Sequence, residues 1–289
     1  MSLRDLLSED DLLVAPGIYD SLSGLIATQS GAKAVYLSGA SIAYTRFGRS
    51  DIGLVSVSEV NDTIAAITDR ICTPIIVDGD NGFGNALNVQ RTVRSFERSG
   101  ANAIQLEDQS FPKKCGHLDG KKLISKNEMV GKIHAALDAR TNQSTLIIAR
   151  TDARAVEGFS QAIDRARAYK EAGADVLFIE APRSMDEMRK ICAEFSHEIP
   201  LLANMVEGGK TPSASAKDLD NLGYKIVIFP GGAVRAISHH MQGYYSGLLT
   251  NGNNDKFSGK MHDFSGLNDL IGTKDLIELG AKYEDKGNK

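Results

Sequence analysis

Three acidic side chains stand directly after short apolar runs in this sequence: Asp78 and Asp80 in VDGDNGFGN, and Glu107 in QLED. All three are hard oxygen donors. A set of this kind suits Mg²⁺, with Mn²⁺ as a possible substitute, because such ions take carboxylate oxygens and keep several waters. Zinc is disfavoured, since no His or Cys cluster accompanies the acids. The same acids could instead form a cluster salt-bridged by Arg150. Gly79, Gly82 and Gly84 let the chain turn tightly beside the acids. No helix follows at once and no βαβ fingerprint is present, so the Gly-x-Gly run does not read as a dinucleotide site.

The second reactive group is a cysteine in a basic segment, SFPKKCGHLDGKKL from Ser110. A long Gly-containing loop of this kind can close over a substrate and exclude water. Cys115 is flanked by Lys113, Lys114 and His117. Neighbouring cations are expected to lower its thiol pKa, which suits an acid/base cysteine acting on an anionic substrate; an incidental loop cysteine among surface lysines is the plain alternative. Cys72 and Cys192 lie in apolar stretches, DRICTPII and MRKICAEF, and are expected to pack in the core. His239 and His240 read as a polar helix face.

These side chains need a scaffold, and the chain announces one by repetition. SGAKAVYLSG, SGANAIQLED, AGADVLFIEA and the weaker LGYKIVIFP each place a glycine at a helix end before an apolar run. Gly31, Gly100, Gly173 and Gly223 fit the left-handed residue that ends a helix. The apolar runs read as strands buried on both faces, as in parallel sheets. Strands are expected near 12–16, 34–38, 75–78, 103–107, 146–150, 176–180, 200–204 and 226–229. Helical patterns lie between them: Val89, Val93 and Phe96 share one face, as do Phe159, Ile163, Ala166 and Tyr169. SKNE from Ser125 is a capping-box pattern. Eight alternating units predict an α/β fold, a (β/α)8 TIM-type barrel. The expected layout is a single domain over 1–289, with the barrel at about 10–247 and a C-terminal helical extension at about 260–286.

In such a barrel the C-terminal strand ends carry the active site. Here they read Ser38 and Gly39, Asp78 and Asp80, Glu107 and Asp108, Arg150 and Asp152, Glu180, then Asn204 and Glu207. Strands also end in polar residues simply on reaching solvent. Yet Glu107, Arg150 and Glu180 continue buried runs, where an unpaired charge is costly, so they should pair or bind something.

Composition limits the partners. The 289 residues carry 33 Lys+Arg against 37 Asp+Glu, a net charge of −4 with His neutral. This mild, mixed charge argues against nucleic acid or a membrane surface as partner. No apolar run is long enough to span a bilayer. The N-terminal MSLRDLLSEDDLLVAPG carries acids where a secretory signal carries bases, and three cysteines make no disulfide framework. A cytoplasmic protein is expected.

Taken together, YLSGA at Tyr36, VDGDNGFGN at Val77, QLEDQ at Gln105, KKCGH at Lys113, IIARTDA at Ile147 and LANMVEGGKTP at Leu202 resemble the isocitrate lyase/phosphoenolpyruvate mutase superfamily. The similarity runs from about residue 10 to 245 and is nearest its small members: 2-methylisocitrate lyases, alkylmalate lyases such as 2,3-dimethylmalate lyase, and carboxyphosphonoenolpyruvate mutases. It implies Mg²⁺ at Asp78 and Asp80, with Glu107 and Asp51 behind them. It implies a backbone cradle at Ser38, Gly39 and Ala40 for a keto-acid carboxylate, the last often Gly in relatives. Arg150 would bind the same unit, with Tyr36 beside it. Cys115 would be the acid/base of a CGH loop, with Lys114, Gly116 and His117 around the substrate. Glu180 and Asn204 would be further contacts, Arg235 would meet its distal end, and Tyr36 and Glu180 are the candidate bases. The resemblance also implies a homotetramer built from helix-swapped dimers. Methylisocitrate lyases resemble LANITEFGATP where this chain has LANMVEGGKTP, so Val206 replaces a Thr that helps hold a succinate carboxylate. The expected activity is therefore cleavage of a 2-hydroxydicarboxylate, 2,3-dimethylmalate to pyruvate and propionate. Methylisocitrate cleavage, carboxyphosphonoenolpyruvate phosphonomutase chemistry and oxaloacetate hydrolysis are the alternatives.

Overall fold

The computed structural model describes residues 2–284. Two compact units divide the chain, Met1–Val234 and Arg235–Lys289. The first is the expected barrel. Its strands are β1 (Leu13–Ile18), β2 (Val35–Leu37), β3 (Ile75–Asp78), β4 (Ala103–Glu107), β5 (Leu146–Thr151), β6 (Val176–Ile179), β7 (Leu202–Asn204) and β8 (Ile226–Phe229). All pairings are parallel, in the order β6-β5-β4-β3-β2-β1-β8-β7. A single parallel bridge between Leu177 and Leu201 brings β6 to β7 and closes the ring.

Local rules act as the pattern predicts. Gly31, Gly100, Gly173 and Gly223 have φ of +94°, +100°, +97° and +106°, conformations that cost a Cβ-bearing residue more. Helix Ala86–Arg98 buries Val89, Val93 and Phe96, and helix Phe159–Glu171 buries Ile163, Ala166 and Tyr169. Ser125 caps helix Lys126–Ala139 by accepting from the Glu128 N–H; no return bond from the Glu128 side chain completes a box.

Two apolar cores result. One lies between strands and helices. The other fills the barrel and includes Leu13, Tyr36, Ile76, Ile148, Phe178 and Ile228. Leu3 and Leu6, from the short helix Leu3–Leu7, join that inner core.

The second unit contains most of helix Gly232–Asn251, a 3-10 turn at Asp255–Lys260, and helices Phe264–Ile271 and Thr273–Ala281. The helix thus runs past residue 247, into the segment expected to be a connection. Phe257 packs edge-on against His240 and Tyr244. Met241, Leu249, Phe264 and Leu276 are exposed. Positions 285 and 286 of the expected extension lie outside the described residues. Among the described residues, no helix is long and apolar enough to cross a membrane.

Candidate active site

Every strand-end residue singled out from the sequence except Glu207 is wholly or partly buried. Asp78 ends β3, and the chain then turns sharply, with Asp80 at φ +48°. Gly39, just after β2, lies against both acids: a Cβ there would sit 3.3 Å from Asp78 Oδ2 and 3.5 Å from Asp80 Oδ1. The two carboxylates therefore converge on one point next to the Ser38–Ala40 backbone, close enough that a Cβ at Gly39 would be a tight fit. Tyr36 donates to Gln105 Oε1 at 2.8 Å, and Gln105 Nε2 donates to Asp78 Oδ1 at 3.1 Å. Gln105 went unassigned in the sequence; its signal was an amide in the middle of an otherwise apolar strand. Burial, then the Asp78 charge, push the Tyr36 phenol well above its ordinary range, so it stays protonated.

Lys113 occupies the middle of the acids. Its Nζ lies 2.7 Å from Asp51 Oδ1 and 2.6 Å from Asp80 Oδ1. Burial opposes that charge, but Asp80 and Asp51 outweigh it. Burial also pushes Asp80 up to about 7 despite Lys113, with Asp78 and Asp51 adding to the rise. Asp80 Oδ1 accepts no well-directed hydrogen bond. Two buried carboxylates side by side, with Asp80 paired to the Lys113 ammonium, are a donor set that a hard divalent cation fits. Among the described residues, no three His, Cys, Asp or Glu side chains form a complete ligand group; Lys113 stands between two of these acids and Glu107 turns away.

Glu107 turns to Arg150, 3.2 Å from its Nη1. Arg150 ends β5 and is gripped by Asp152, at 3.0 Å to Nε and 3.2 Å to Nη2. It also lies 3.8 Å from Glu180 and over the Phe178 ring. The Arg150-bridged alternative thus holds for Glu107, while Asp80 is bridged by Lys113 instead. Burial opposes the Arg150 charge; Asp152, Glu107 and Glu180 outweigh it. Glu180 follows β6 and accepts from Asn204 Nδ2 at 3.1 Å, with His117 Nε2 at 3.1 Å from its other oxygen. Burial raises Glu180, but Arg150 and His117 outweigh it and keep the carboxylate ionised.

The basic segment returns on itself: Ser110 N–H donates to Lys122 O and Ile124 N–H to Asp108 O. It folds inward over the acids. Cys115 N–H donates to Asp51 O at 3.2 Å. A Cβ on Gly116 would lie 2.5 Å from Arg150 Nη2 and 2.8 Å from Glu180, so only glycine lets the loop seat. His117 Nδ1 accepts from Lys210 N–H at 3.0 Å, which leaves Nε2 as the protonated nitrogen facing Glu180. The Cys115 thiol departs from expectation. Burial pushes it up, with Asp51 and Glu180 adding and only His117 N–H and Arg150 opposing. The flanking lysines are committed elsewhere, Lys113 to the acids and Lys114 Nζ to Asp119 O. Cys115 is thus a neutral thiol, not a thiolate.

The remaining assignments are mixed. Cys192 is buried as expected. Cys72 is exposed, because the side chain between buried Ile71 and β3 points outward. His239 and His240 are exposed. Arg235 lies in the first turn of helix Gly232–Asn251, in the second unit. Val206 lines a cleft of about 460 Å³ with Met205, Gly208, Gly209, Thr211 and Phe229.

Comparison with known proteins identifies the family and supports the fold. The family described as phosphoenolpyruvate phosphomutase matches residues 3–249. The chain is 42% identical to 2,3-dimethylmalate lyase of Eubacterium barkeri, over 97% of this chain and 96% of that one. It is 45% identical to 2-methylisocitrate lyase of Aeropyrum pernix, over 99% and 92%. A crystal structure of 2,3-dimethylmalate lyase superposes with a TM-score of 0.91 at 34% identity, covering 99% of this chain and 96% of the other. Phosphonopyruvate hydrolase in complex with oxalate and Mg²⁺ superposes at 0.88 with 29% identity, covering 98% and 99%.

Proposed function

The chain belongs to the phosphoenolpyruvate phosphomutase family, and from that premise we propose that it is a magnesium-dependent lyase that cleaves a 2-alkylmalate such as 2,3-dimethylmalate to pyruvate and propionate. One observation carries the reading: Gly116 seats the Cys115 loop against Arg150 and Glu180, while Lys113 of the same loop reaches the buried Asp80.

Asp78 and Asp80 would hold the metal. Bound there, magnesium supplies Lewis acidity that lowers the pKa of the substrate hydroxyl. Arg150, prearranged by Asp152 and Glu107, binds the carboxylate next to that hydroxyl by a charge-assisted contact. The Ser38–Ala40 backbone completes that grip. Glu180 is ionised and is the better proton acceptor of the two candidates; Tyr36, a protonated phenol, orients Asp78 through Gln105. As the hydroxyl loses its proton, the C2–C3 bond breaks and its electrons pass to C3 as a carboxylate-stabilised carbanion. Cys115 donates its proton to that carbon, a role for which a neutral thiol is the correct state. His117 and Lys114 are assigned to the leaving carboxylate by resemblance alone; in this structure they meet Glu180 and Asp119 O. Arg235 is assigned to the distal end of the substrate by resemblance alone. Val206 in the adjoining cleft supports a small alkyl group there over a third carboxylate.

The apolar side chains exposed along the second unit support assembly into a homotetramer of helix-swapped dimers, read by light scattering on the purified protein. The activity test is pyruvate release coupled to lactate dehydrogenase, with 2,3-dimethylmalate, 2-methylisocitrate and oxaloacetate offered separately. Magnesium-dependent pyruvate, fastest from dimethylmalate and abolished by EDTA, is the expected result. Faster turnover of methylisocitrate would overturn the substrate assignment and keep the lyase. Silence with all three would favour phosphonomutase chemistry.

A further inference from the structure

Lys121 is a buried lysine that the chemistry above does not use. Its side chain is 1% exposed, and a lysine so placed must spend its donors on fixed partners. One partner is Asp152 Oδ1 at 2.8 Å; the other is the carbonyl of Gly116. Asp152 is the same carboxylate that grips Arg150 through two hydrogen bonds. It is itself fixed from behind, because its N–H donates to Asp108 Oδ1 at 2.9 Å, and Asp108 accepts from Thr151 and Tyr169 at 2.7 and 2.8 Å. The loop has other ties: Lys113 to Asp51 and Asp80, and His117 to Lys210. Lys121 ties it to the partner of Arg150.

We propose that Lys121 is a positioning residue that latches the Cys115–His117 loop onto the arginine site through Asp152. The ammonium spans from loop backbone to a carboxylate anchored in the barrel, so the distance between the thiol and the guanidinium is set by side chains that touch neither substrate nor metal. Removing the ammonium leaves Arg150 its grip on Asp152 but frees the Gly116 carbonyl, and the loop opens. The inference rests on the reading of this loop as the bearer of the acid.

The three cysteines supply the test. Full-length protein without substrate is treated with iodoacetamide, and labelling is followed peptide by peptide. Cys72 is exposed and gives the reference rate, Cys115 is half-buried and reports the loop, and Cys192 is buried and reports the barrel. In Lys121→Met, labelling of Cys115 relative to Cys72 rises about tenfold, the scale of losing one charge-assisted hydrogen bond, while Cys192 stays protected. Lys121→Arg, which keeps donors and charge, restores most of the protection. In turnover, Lys121→Met lowers kcat more than it raises KM, since closing the loop follows substrate entry. An unchanged Cys115 ratio would overturn the proposal, and so would Cys192 labelling that rises in step with Cys115. Because labelling needs no substrate, a protein that releases no pyruvate contradicts the lyase assignment and leaves the latch standing.

Discussion

The two ends of the barrel are equally closed and oppositely made. At the N-terminal end, Leu3 and Leu6 join the inner core with Leu13, Ile76 and Ile226, and Arg4 pairs with Asp175 at the rim. At the C-terminal end, Asp78, Asp80, Glu107, Arg150, Asp152 and Glu180 are just as deeply buried. Asp80 Oδ1, both Glu107 oxygens, Glu180 Oε1 and Asn204 Oδ1 lack well-directed hydrogen bonds there. The first end lowers free energy by removing apolar surface from water. The second end costs free energy, and a fold keeps such a cluster where ligand binding offsets it. One end holds the barrel together; the other gathers carboxylates suited to a cation around Arg150, whose guanidinium suits an anion.

Substitutions at the two ends should separate these roles. The largest effect is expected at the thiol: Cys115→Ser lowers kcat about a thousandfold, within the range of a lost general acid, without a change in Tm. Near-wild-type turnover in that variant would remove Cys115 from the chemistry. Next comes Gly116→Ala, whose methyl meets Arg150 and Glu180. It holds the loop off its seat and lowers kcat about a hundredfold, the cost of misplacing a reacting group by about 1 Å. A steady-state assay at saturating substrate reads this directly, and a loss confined to KM would contradict it. At the opposite end, Leu3→Ala removes about 2–5 kcal/mol of stability in urea titration while kcat at 25 °C stays within about twofold of wild type. A comparable loss of kcat would show that the two ends do not divide the work.

The smallest effect is on pH. The reacting form of Cys115 is the protonated thiol, and burial raises its pKa above the ordinary 9.0. Raising the pH removes the proton donor, so a raised pKa moves this loss to higher pH. The kcat profile should stay level through neutrality and fall only above the ordinary thiol range. A fall centred below it would mean the lysines act on the thiol after all.

What the sequence revealed and what it hid divide along range. The eight strands and the buried faces of helices Ala86–Arg98 and Phe159–Glu171 follow from local periodicity, and β3, β4 and β8 fall on the expected residues. The ring of strand-end residues followed from the same pattern. Charge pairing did not. Lys113 meets Asp51 and Asp80, and Lys121 meets Asp152, across long stretches of chain. Read locally, Lys113, Lys114 and His117 crowd Cys115 and should acidify it. In the folded chain those cations turn to other partners and desolvation decides the thiol. Cys72 misled for a related reason, since apolar neighbours do not say which way one side chain between a helix and a strand will point.

The most direct test is to run the cleavage of 2,3-dimethylmalate in D₂O and examine the propionate. If Cys115 delivers the proton inside a closed loop, the product carries one deuterium at the former C3, in a single configuration. Racemic deuteriopropionate would mean that the carbanion is quenched by solvent, and the seated loop would not be the proton donor.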